Sequence, residues 1–165
     1  MIHEFNKSIE IGKRGEQEFI ELFSQLPTVN QIVDLRDSPE MRENDIDFLV
    51  RTPKGNFTLE LKTDTYASGN FFIETISAKE THSVGWAFKS KAQFLAYYFI
   101  KYQKIYIFKM KDIQKIAGSS SFLEFRKTLQ NKWKDGTYTS EGLAIPVNTL
   151  CAYVREYSIY EVETK

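Results

Sequence analysis

The segment TLELKTD, residues 58–64, alternates charged side chains with leucines. Glu60 and Lys62 lie two positions apart, on either side of Leu61 and following Leu59. Side chains alternate between the two faces of a β-strand, and each residue rises ~3.3 Å, so a strand here would hold the acid and the amine about 7 Å apart on one face. The two leucines would point to the opposite face and anchor it in a core.

A second acid belongs to the strand predicted just before this one. The segment DIDFLVR, residues 45–51, places Asp45 and Asp47 on one face; PKGN is a typical turn, and FTLELKT then returns as in a hairpin. We expect the hairpin to bring Asp47 beside Glu60 and Lys62. Two carboxylates can hold Mg²⁺, which prefers oxygen ligands, and the ammonium can orient or deprotonate a water molecule.

An acidic residue also follows the apolar face of the first predicted helix, residues 7–26. Phe19 and Phe23 recur at helical spacing, and Glu16 precedes them by three and seven residues. The carboxylate of Glu16 should therefore point roughly where the apolar face points, and Gly12, one turn earlier, would allow a close approach. The alternative is that Glu16 is a capping residue or lies at the edge of the apolar stripe.

The rest of the chain is predicted to supply strands and two more helices. Residues 70–77 and 104–110 have the composition of strands, and the tail segments LAIPV and CAYVREYSIYEV look β-rich. Apolar residues at helical spacing predict a helix near 88–102. Another helix is predicted to begin at Ser121, where Ser121 and Glu124 form a capping box.

Length and composition favour one domain over residues 1–165, with a C-terminal helix and a β-rich extension over 111–165. The 42% apolar content is sufficient for a sizeable core. The single cysteine, Cys151, excludes an internal disulfide, and the N-terminal segment has no signal-peptide core. The longest apolar run, residues 94–100, is too short to cross a membrane. We expect a cytoplasmic protein with no membrane partner.

The formal net charge of zero conceals a segregation of charge along the chain. Residues 1–47 hold 5 basic and 11 acidic side chains, residues 48–134 hold 15 and 6, and residues 135–165 hold 2 and 5. A basic middle region suits a polyanionic partner, and it is also compatible with a solvated lysine-rich face in an ordinary enzyme.

Together these acidic residues and the lysine resemble the PD-(D/E)XK nuclease superfamily. The similarity consists of Glu16 in GKRGEQEF, Asp47 in NDIDFLV, and the acid-x-Lys element ELK formed by Glu60 and Lys62. The runs SGNFFIETIS and KSKAQFLAYY are similar to phage-borne and prophage-borne members. The resemblance covers roughly residues 10–110, and it departs from the family pattern in that no proline precedes the aspartate.

The resemblance implies an α/β fold: a central mixed β-sheet flanked by helices, with a restriction-endonuclease-like core over about 7–110. It also implies a Mg²⁺-dependent DNA nuclease of a bacterium or a phage-infected host cell, acting in DNA processing or recombination, in which Mn²⁺ substitutes for Mg²⁺. Products would carry a 5′-phosphate. The implied metal ligands are Asp47, Glu60, the carbonyl of Leu61, and Glu16 through water or at a second ion, while Lys62 would position the attacking water.

Several further residues have open roles. Asp45 is either an additional acid near the metal or a solvated residue, and Glu74 either extends the acidic cluster or pairs with a lysine. Gln93 and Tyr97 resemble the Gln-x-x-x-Tyr element of recombination helicase–nucleases. Contacts to the DNA backbone are expected from basic residues in the first helix and the middle region: Lys13, Arg14, Lys79, Lys89 and Lys91.

Other functions are compatible with the same residues. The main alternative is a catalytically inactive nuclease-fold module that binds nucleic acid or a replication or recombination protein. A weaker one is an α/β domain in which the charges coincide by chance. The form of the substrate stays open at this stage, and a symmetric homodimer would suit cleavage of a duplex or a junction.

Overall fold

A computed structural model of the chain describes residues 2–133 and 136–163, with side chains for residues 10–132 and 136–163. The helices are α1 (Ile2–Ser24), α2 (Pro39–Glu43), α3 (Trp86–Lys89), α4 (Met110–Ala117) and α5 (Val147–Val154), with a 3₁₀ helix at Ser120–Phe125. The strands are β1 (Gln31–Asp34), β2 (Phe48–Thr52), β3 (Gly55–Asp64), β4 (Asn70–Ala78), β5 (Ser83–Val84), β6 (Phe94–Phe99), β7 (Lys104–Lys109), β8 (Arg126–Trp133), β9 (Gly136–Pro146) and β10 (Tyr157–Glu161).

The strands form two sheets. The larger has six strands in the order β1-β2-β3-β6-β7-β10, and its β3–β6 pair is parallel while the other pairs are antiparallel. The smaller sheet is antiparallel, in the order β5-β4-β9-β8. The predicted α/β class with a mixed central sheet is therefore confirmed, and the second sheet was not predicted.

The hairpin expected from the sequence is formed by β2 and β3. Phe48 pairs with Leu59 and Thr52 pairs with Gly55, which has a φ of +135° at the turn. The strand prediction over 45–51 was wrong at its start, because β2 begins at Phe48 and Asp45 has a left-handed φ of +46°. The residues before β2 thus form a bend, which places Asp47 beside Leu59 and Leu61 of β3.

Each face of the central sheet is covered by a different layer. On one face, Phe19 and Phe23 of α1 pack against Phe48, Leu59 and further residues of the sheet. The other face packs mainly against the second sheet together with α4 and α5, through β4 and β9 side chains and apolar helix residues: Phe71, Ile73, Leu143, Ile145, Ile113, Ile116 and Leu150. The expected flanking helices are present as α1, α4 and α5, but a sheet that was not predicted forms much of the second layer.

Close packing of α1 on β3 depends on Gly15. A Cβ atom at this position would lie 2.5 Å from Oγ1 of Thr63, whereas a Cβ at Gly12 would meet nothing within 4 Å. The close approach that the sequence suggested for Gly12 therefore occurs one turn later. It places the residue after Gly15, which is Glu16, near the end of the hairpin.

The helix predicted near 88–102 was wrong. The structure has the short helix α3 followed by β6, whose residues are buried on both faces of the central sheet. Leu95, Tyr97 and Phe99 face the second sheet, while Ala96 and Tyr98 face α1. A strand buried on both faces has a continuous apolar sequence, and periodicity alone does not distinguish it from a buried helix.

The helix predicted from Ser121 was also wrong. A 3₁₀ helix there is capped by Ser119, whose hydroxyl accepts from the Ser121 N–H at 3.2 Å, and β8 follows at once. Strand β8 is defined by eight pairings with β9, from Arg126–Leu143 to Trp133–Gly136, so a hairpin partner overrides the helical spacing. The β-rich tail is confirmed for β9 and β10, although α5 lies between them.

No helix among residues 2–133 and 136–163 is long and apolar enough to cross a membrane.

Candidate active site

Asp47 is held at the open end of the hairpin by three hydrogen bonds to backbone groups. Its N–H donates to the Leu59 carbonyl at 2.9 Å, and its own carbonyl accepts from the Leu35 N–H at 2.8 Å. Its carboxylate accepts from the Leu61 N–H, with Oδ2 at 2.8 Å. The side chain therefore replaces a strand as the hydrogen-bond partner of β3 at this point and is fixed beside the following residues of β3.

Glu60 and Lys62 project from β3 on the face opposite Leu59 and Leu61, as the alternation predicted. Leu59 and Leu61 join the core beneath α1. The Glu60 side chain is only 3% exposed, and its Oε1 forms an ion pair with Nζ of Lys62. Its Oε2 is buried without a hydrogen-bond donor. A carboxylate oxygen in this position is costly unless something positive or protonated occupies the space beside it.

The amine of Lys62 lies among acids and an indole ring. Its Nζ is 5.7 Å from the ring centroid of Trp86, the first residue of α3. Burial raises the pKa of the Glu74 carboxyl on β4, and the positive charge of Lys62 opposes this shift. Gly85 permits this arrangement, because a Cβ there would clash with the Glu74 backbone.

Glu16 and Asp45 reach the same region from outside the hairpin. Glu16 forms an ion pair with Nη1 of Arg36, and Asp45 forms one with Nζ of Lys89 at 2.7 Å. Arg36 also binds Asp34, with Nε to Oδ1 at 2.9 Å and Nη2 to Oδ2 at 2.5 Å.

Arg36 lines the candidate site but was not predicted from the sequence. Its guanidinium carbon lies 5.1 Å from the ring centroid of Phe48, so it stacks on the first residue of β2 while it binds Glu16 and Asp34. The paired acids raise its pKa, and its charge also acts on Asp47. The local sequence DLRD gives no signal for this role, because the contacts come from α1 and β2.

The electrostatics of the hairpin end disfavour two free negative charges. Burial raises the pKa of Glu60 to about 8, because the attraction of Lys62 offsets only part of the cost and the Asp47 carboxylate adds to it. Burial also raises the pKa of Asp47, although the Leu61 N–H and the nearby cations oppose this. Adjacent buried carboxyl groups of this kind tend to share a proton or a cation.

Lys62 has the opposite tendency and keeps its charge. Burial lowers its pKa, but the carboxylates of Glu60, Asp47 and Asp45 outweigh burial, so its pKa is raised. The Lys62 side chain is 33% exposed, so water still reaches the amine. The neighbouring acids therefore determine the direction of its pKa shift. The site therefore presents a protonated ammonium beside two carboxyl groups.

These residues line a groove of about 720 Å³ at the edge of the central sheet. We call it the acidic groove. Its lining includes most of the predicted site residues together with Arg36: Lys13, Glu16, Asp45, Asp47, Glu60, Leu61 and Lys62. Side chains from α1, the bend before β2, and β3 are thus brought together although they are as many as 49 positions apart in the chain.

A second groove, of about 640 Å³, shares Lys62 with the acidic groove. We call it the side groove. Glu74 and Tyr97 line it, and the Tyr97 hydroxyl donates to Oδ2 of Asp64 at 3.1 Å and accepts from the Phe72 N–H at 3.0 Å. Glu74 therefore lies next to Lys62 on the side away from Glu16.

The other predicted residues lie outside both grooves. Arg14 pairs with Glu18 on the outer side of α1, and Lys79 pairs with Glu141 of β9. The Gln93 side chain accepts from the Thr58 N–H at 2.9 Å, so it ties the start of β6 to β3. Lys91 is exposed. Of the five predicted DNA-contacting residues, Lys13 lines the acidic groove and Lys89 reaches it through Asp45.

The described residues contain no group of three or more His, Cys, Asp or Glu side chains arranged to enclose a metal ion. Magnesium does not require such a group, because one or two carboxylates and several waters are its usual ligands in proteins. The buried, donor-free Oε2 of Glu60 beside the Asp47 carboxylate fits a hard cation.

Fold and site together describe an α/β protein with a mixed central sheet, a second antiparallel sheet and an acidic groove where the first hairpin ends. No protein-family model matches the sequence, and comparisons with curated proteins and with solved structures gave no significant match.

Proposed function

We propose that the protein is a metal-dependent nuclease that hydrolyses phosphodiester bonds of DNA, with Mg²⁺ as its cofactor and Mn²⁺ as a substitute. The observation that carries the proposal is the state of Glu60. It is an almost fully buried carboxylate with one oxygen paired to Lys62 and the other oxygen facing no donor, next to a second carboxylate. A chain that only needed stability would gain from an apolar residue at this position.

The donor set supports a magnesium site formed by Asp47, Glu60 and the Leu61 carbonyl. Pairing of β2 with β3 ends at Phe48 and Leu59, so Leu61 has no partner strand on that side. Its N–H bonds to Asp47 instead, and in a strand the carbonyl of a residue points to the same side as its N–H. Three oxygens from adjacent residues can thus face one position at the end of the hairpin.

A bound Mg²⁺ ion would lower the pKa of a water and neutralise charge on the phosphate. Lys62 is suited to orienting that water and stabilising the developing charge, since its raised pKa keeps it protonated and therefore argues against a role as the base. Arg36, held between Glu16 and Asp34, supplies a second positive charge on the groove wall.

The fold also supports this proposal, as a long helix followed by a mixed sheet agrees with the restriction-endonuclease-like core that the acid-x-Lys element implies. Gly15 and Arg36 explain how an acid from that helix approaches the hairpin. Lys13 and Lys89 offer contacts to the nucleic acid backbone near the groove, and such contacts should weaken as salt increases.

The direct test is cleavage of labelled DNA in Mg²⁺ and in Mn²⁺ by the wild-type protein and by Lys62→Ala and Asp47→Asn. We expect each variant to lose at least about 100-fold in rate, because each removes a charge that acts on the reacting phosphate or its metal. Lys54→Ala is the matched control, since Lys54 is exposed in the turn at the other end of the same hairpin.

Circular dichroism must show that the variants remain folded. Metal-stimulated cleavage that persists at the wild-type rate in both folded variants would refute the assignment of the site.

A second candidate is a module of the same fold that binds nucleic acid or a partner protein without cleaving it. The ion pairs favour it, because Glu16, Asp45 and Glu60 each have a cationic partner without any metal. Calorimetric titration with Mn²⁺ separates the two candidates. The nuclease predicts a binding site that Glu60→Gln removes, and the binding module predicts no heat of metal binding in either protein.

A further inference from the structure

The side groove is a second recessed surface, which adjoins the acidic groove at Lys62. Its walls are the chain after β3, including Tyr66, and one edge of β8, including Leu129. Lys62, Glu74 and Trp86 form the end that adjoins the acidic groove. Its volume of about 640 Å³ falls within the range of pockets that hold small organic groups. Anything bound near Lys62 can therefore extend into it.

Tyr66 is the notable feature of this groove, because it is 74% exposed, more than any other large apolar side chain in the described part of the chain. The backbone that carries this side chain is nevertheless anchored. The Tyr66 N–H donates to Oδ1 of Asp64 at 2.6 Å, and the Tyr102 hydroxyl donates to the next carbonyl, that of Ala67, at 2.9 Å. An aromatic ring presented to solvent on an anchored loop is a ready platform for stacking.

The rest of the lining suits a nucleobase with its attached sugar and phosphate. Strand β8 contributes the exposed residues Lys127 and Gln130 and the half-buried Asn131. Amide groups can donate to and accept from the edge of any base, and the amine can contact a phosphate. Phe72 and Trp86 add apolar surface to the lining.

We infer that the side groove holds an unpaired base of the nucleic acid strand, next to the phosphate that lies at Lys62. The inference deepens the proposed nuclease function and rests on it for the position of that phosphate. A base in the interior of a duplex has both faces covered by its neighbours, and freeing it costs a few kcal/mol. The substrate class is therefore a nucleic acid that is already unpaired at the cleavage position: a single strand, a flap or a frayed end.

The test compares cleavage of a labelled single-stranded oligonucleotide and of the same sequence in a blunt duplex. We expect the wild-type protein to prefer the single strand. We expect Tyr66→Ala to lower its cleavage by about 5- to 150-fold, the range for loss of one stacked base, and Tyr66→Phe to retain it. Tyr153→Ala is the matched control, since Tyr153 is an exposed tyrosine on α5 that lines neither groove.

A second series removes the base from the substrate. Abasic nucleotides are placed one at a time around the cleaved bond. We expect one position to slow the wild-type protein by a similar factor, and the same abasic position to have no further effect on Tyr66→Ala. Equal rates for the wild type and Tyr66→Ala on every substrate, with cleavage intact, would overturn the base site and leave the nuclease proposal standing.

Binding in EDTA, measured by fluorescence anisotropy of the same oligonucleotides, distinguishes failure of the base site from failure of the proposed nuclease function. Binding that depends on Tyr66 with no cleavage under any metal condition would support the base site and refute the nuclease. Absence of both binding and cleavage by the wild-type protein would overturn both.

Discussion

The two faces of β3 are buried to almost the same extent and have opposite energetic consequences. Leu59 is 0% and Leu61 8% exposed beneath α1, while Glu60 on the other face is 2% exposed. The leucines gain free energy when they leave water. Glu60 loses it, as its raised pKa indicates.

A strand that tolerates this cost on one face must recover it through function or through a bound cation. The side chains around Glu60 support this view, because Lys62 pairs with only one of the two carboxylate oxygens of Glu60. The stabilising side chains and the proposed catalytic side chains thus lie on opposite faces of a single strand, and substitutions on the two faces should change stability in opposite directions.

The largest change in stability is expected on the apolar face. Phe19→Ala removes a fully buried ring that stacks on Phe23 at 4.3 Å and contacts Phe48. We expect a loss of about 3–5 kcal/mol in the free energy of unfolding, measured by urea denaturation. Phe88→Ala is the control, since Phe88 is 46% exposed and its loss should have little effect. Equal losses for the two variants would mean that α1 does not form this core.

Substitution of the acid on the opposite face should stabilise the protein. The pKa of Glu60 is raised from 4.5 to about 8, so the ionised form penalises the folded state fully above pH 8, and the penalty disappears as the pH falls from 8 towards 4.5. In EDTA at pH 9 we expect Glu60→Gln to be more stable than the wild type by about 1–4 kcal/mol, because the amide avoids the cost that the raised pKa of Glu60 reports, while the loss of its partner costs the partly exposed Lys62 only part of that gain. The difference should shrink at pH 5.5, as thermal or urea unfolding at the two pH values would reveal.

Glu124→Gln provides the control for this experiment, because Glu124 is exposed and its substitution should change stability little at either pH. A Glu60→Gln variant that is less stable than the wild type at pH 9 would mean that the pair with Lys62 outweighs the cost of burial.

The smallest change is expected where α1 meets β3. Gly15→Ala would place a Cβ 2.5 Å from Thr63 Oγ1, and we expect a loss of about 1–3 kcal/mol as the helix shifts. Gly12→Ala on the same helix meets nothing within 4 Å, so helix propensity should stabilise it by up to about 1 kcal/mol. Chemical denaturation of the pair checks the sign of each effect. Similar stabilities for both alanine variants would contradict the close approach at Gly15.

The geometry of the candidate site was largely predictable because it is local. Glu60 and Lys62 are two residues apart on one strand, and Asp47 is joined to them by a short hairpin, so period-two alternation and turn chemistry were sufficient. The fold was harder to predict. The sequence of β6 is apolar on both faces, a pattern that also predicts a helix, and β8 has apolar residues at helical spacing yet pairs with β9.

The sequence by itself determined the α/β class, the hairpin and the face on which the acids and Lys62 lie, because these follow from the order of neighbouring residues. Only the tertiary structure decided that Arg36 binds Glu16, that Trp86 lies over Lys62, and that β8 lines a groove beside the acids. Those contacts join residues from separate elements, and the packing of whole layers, which local periodicity does not encode, sets the distances between them.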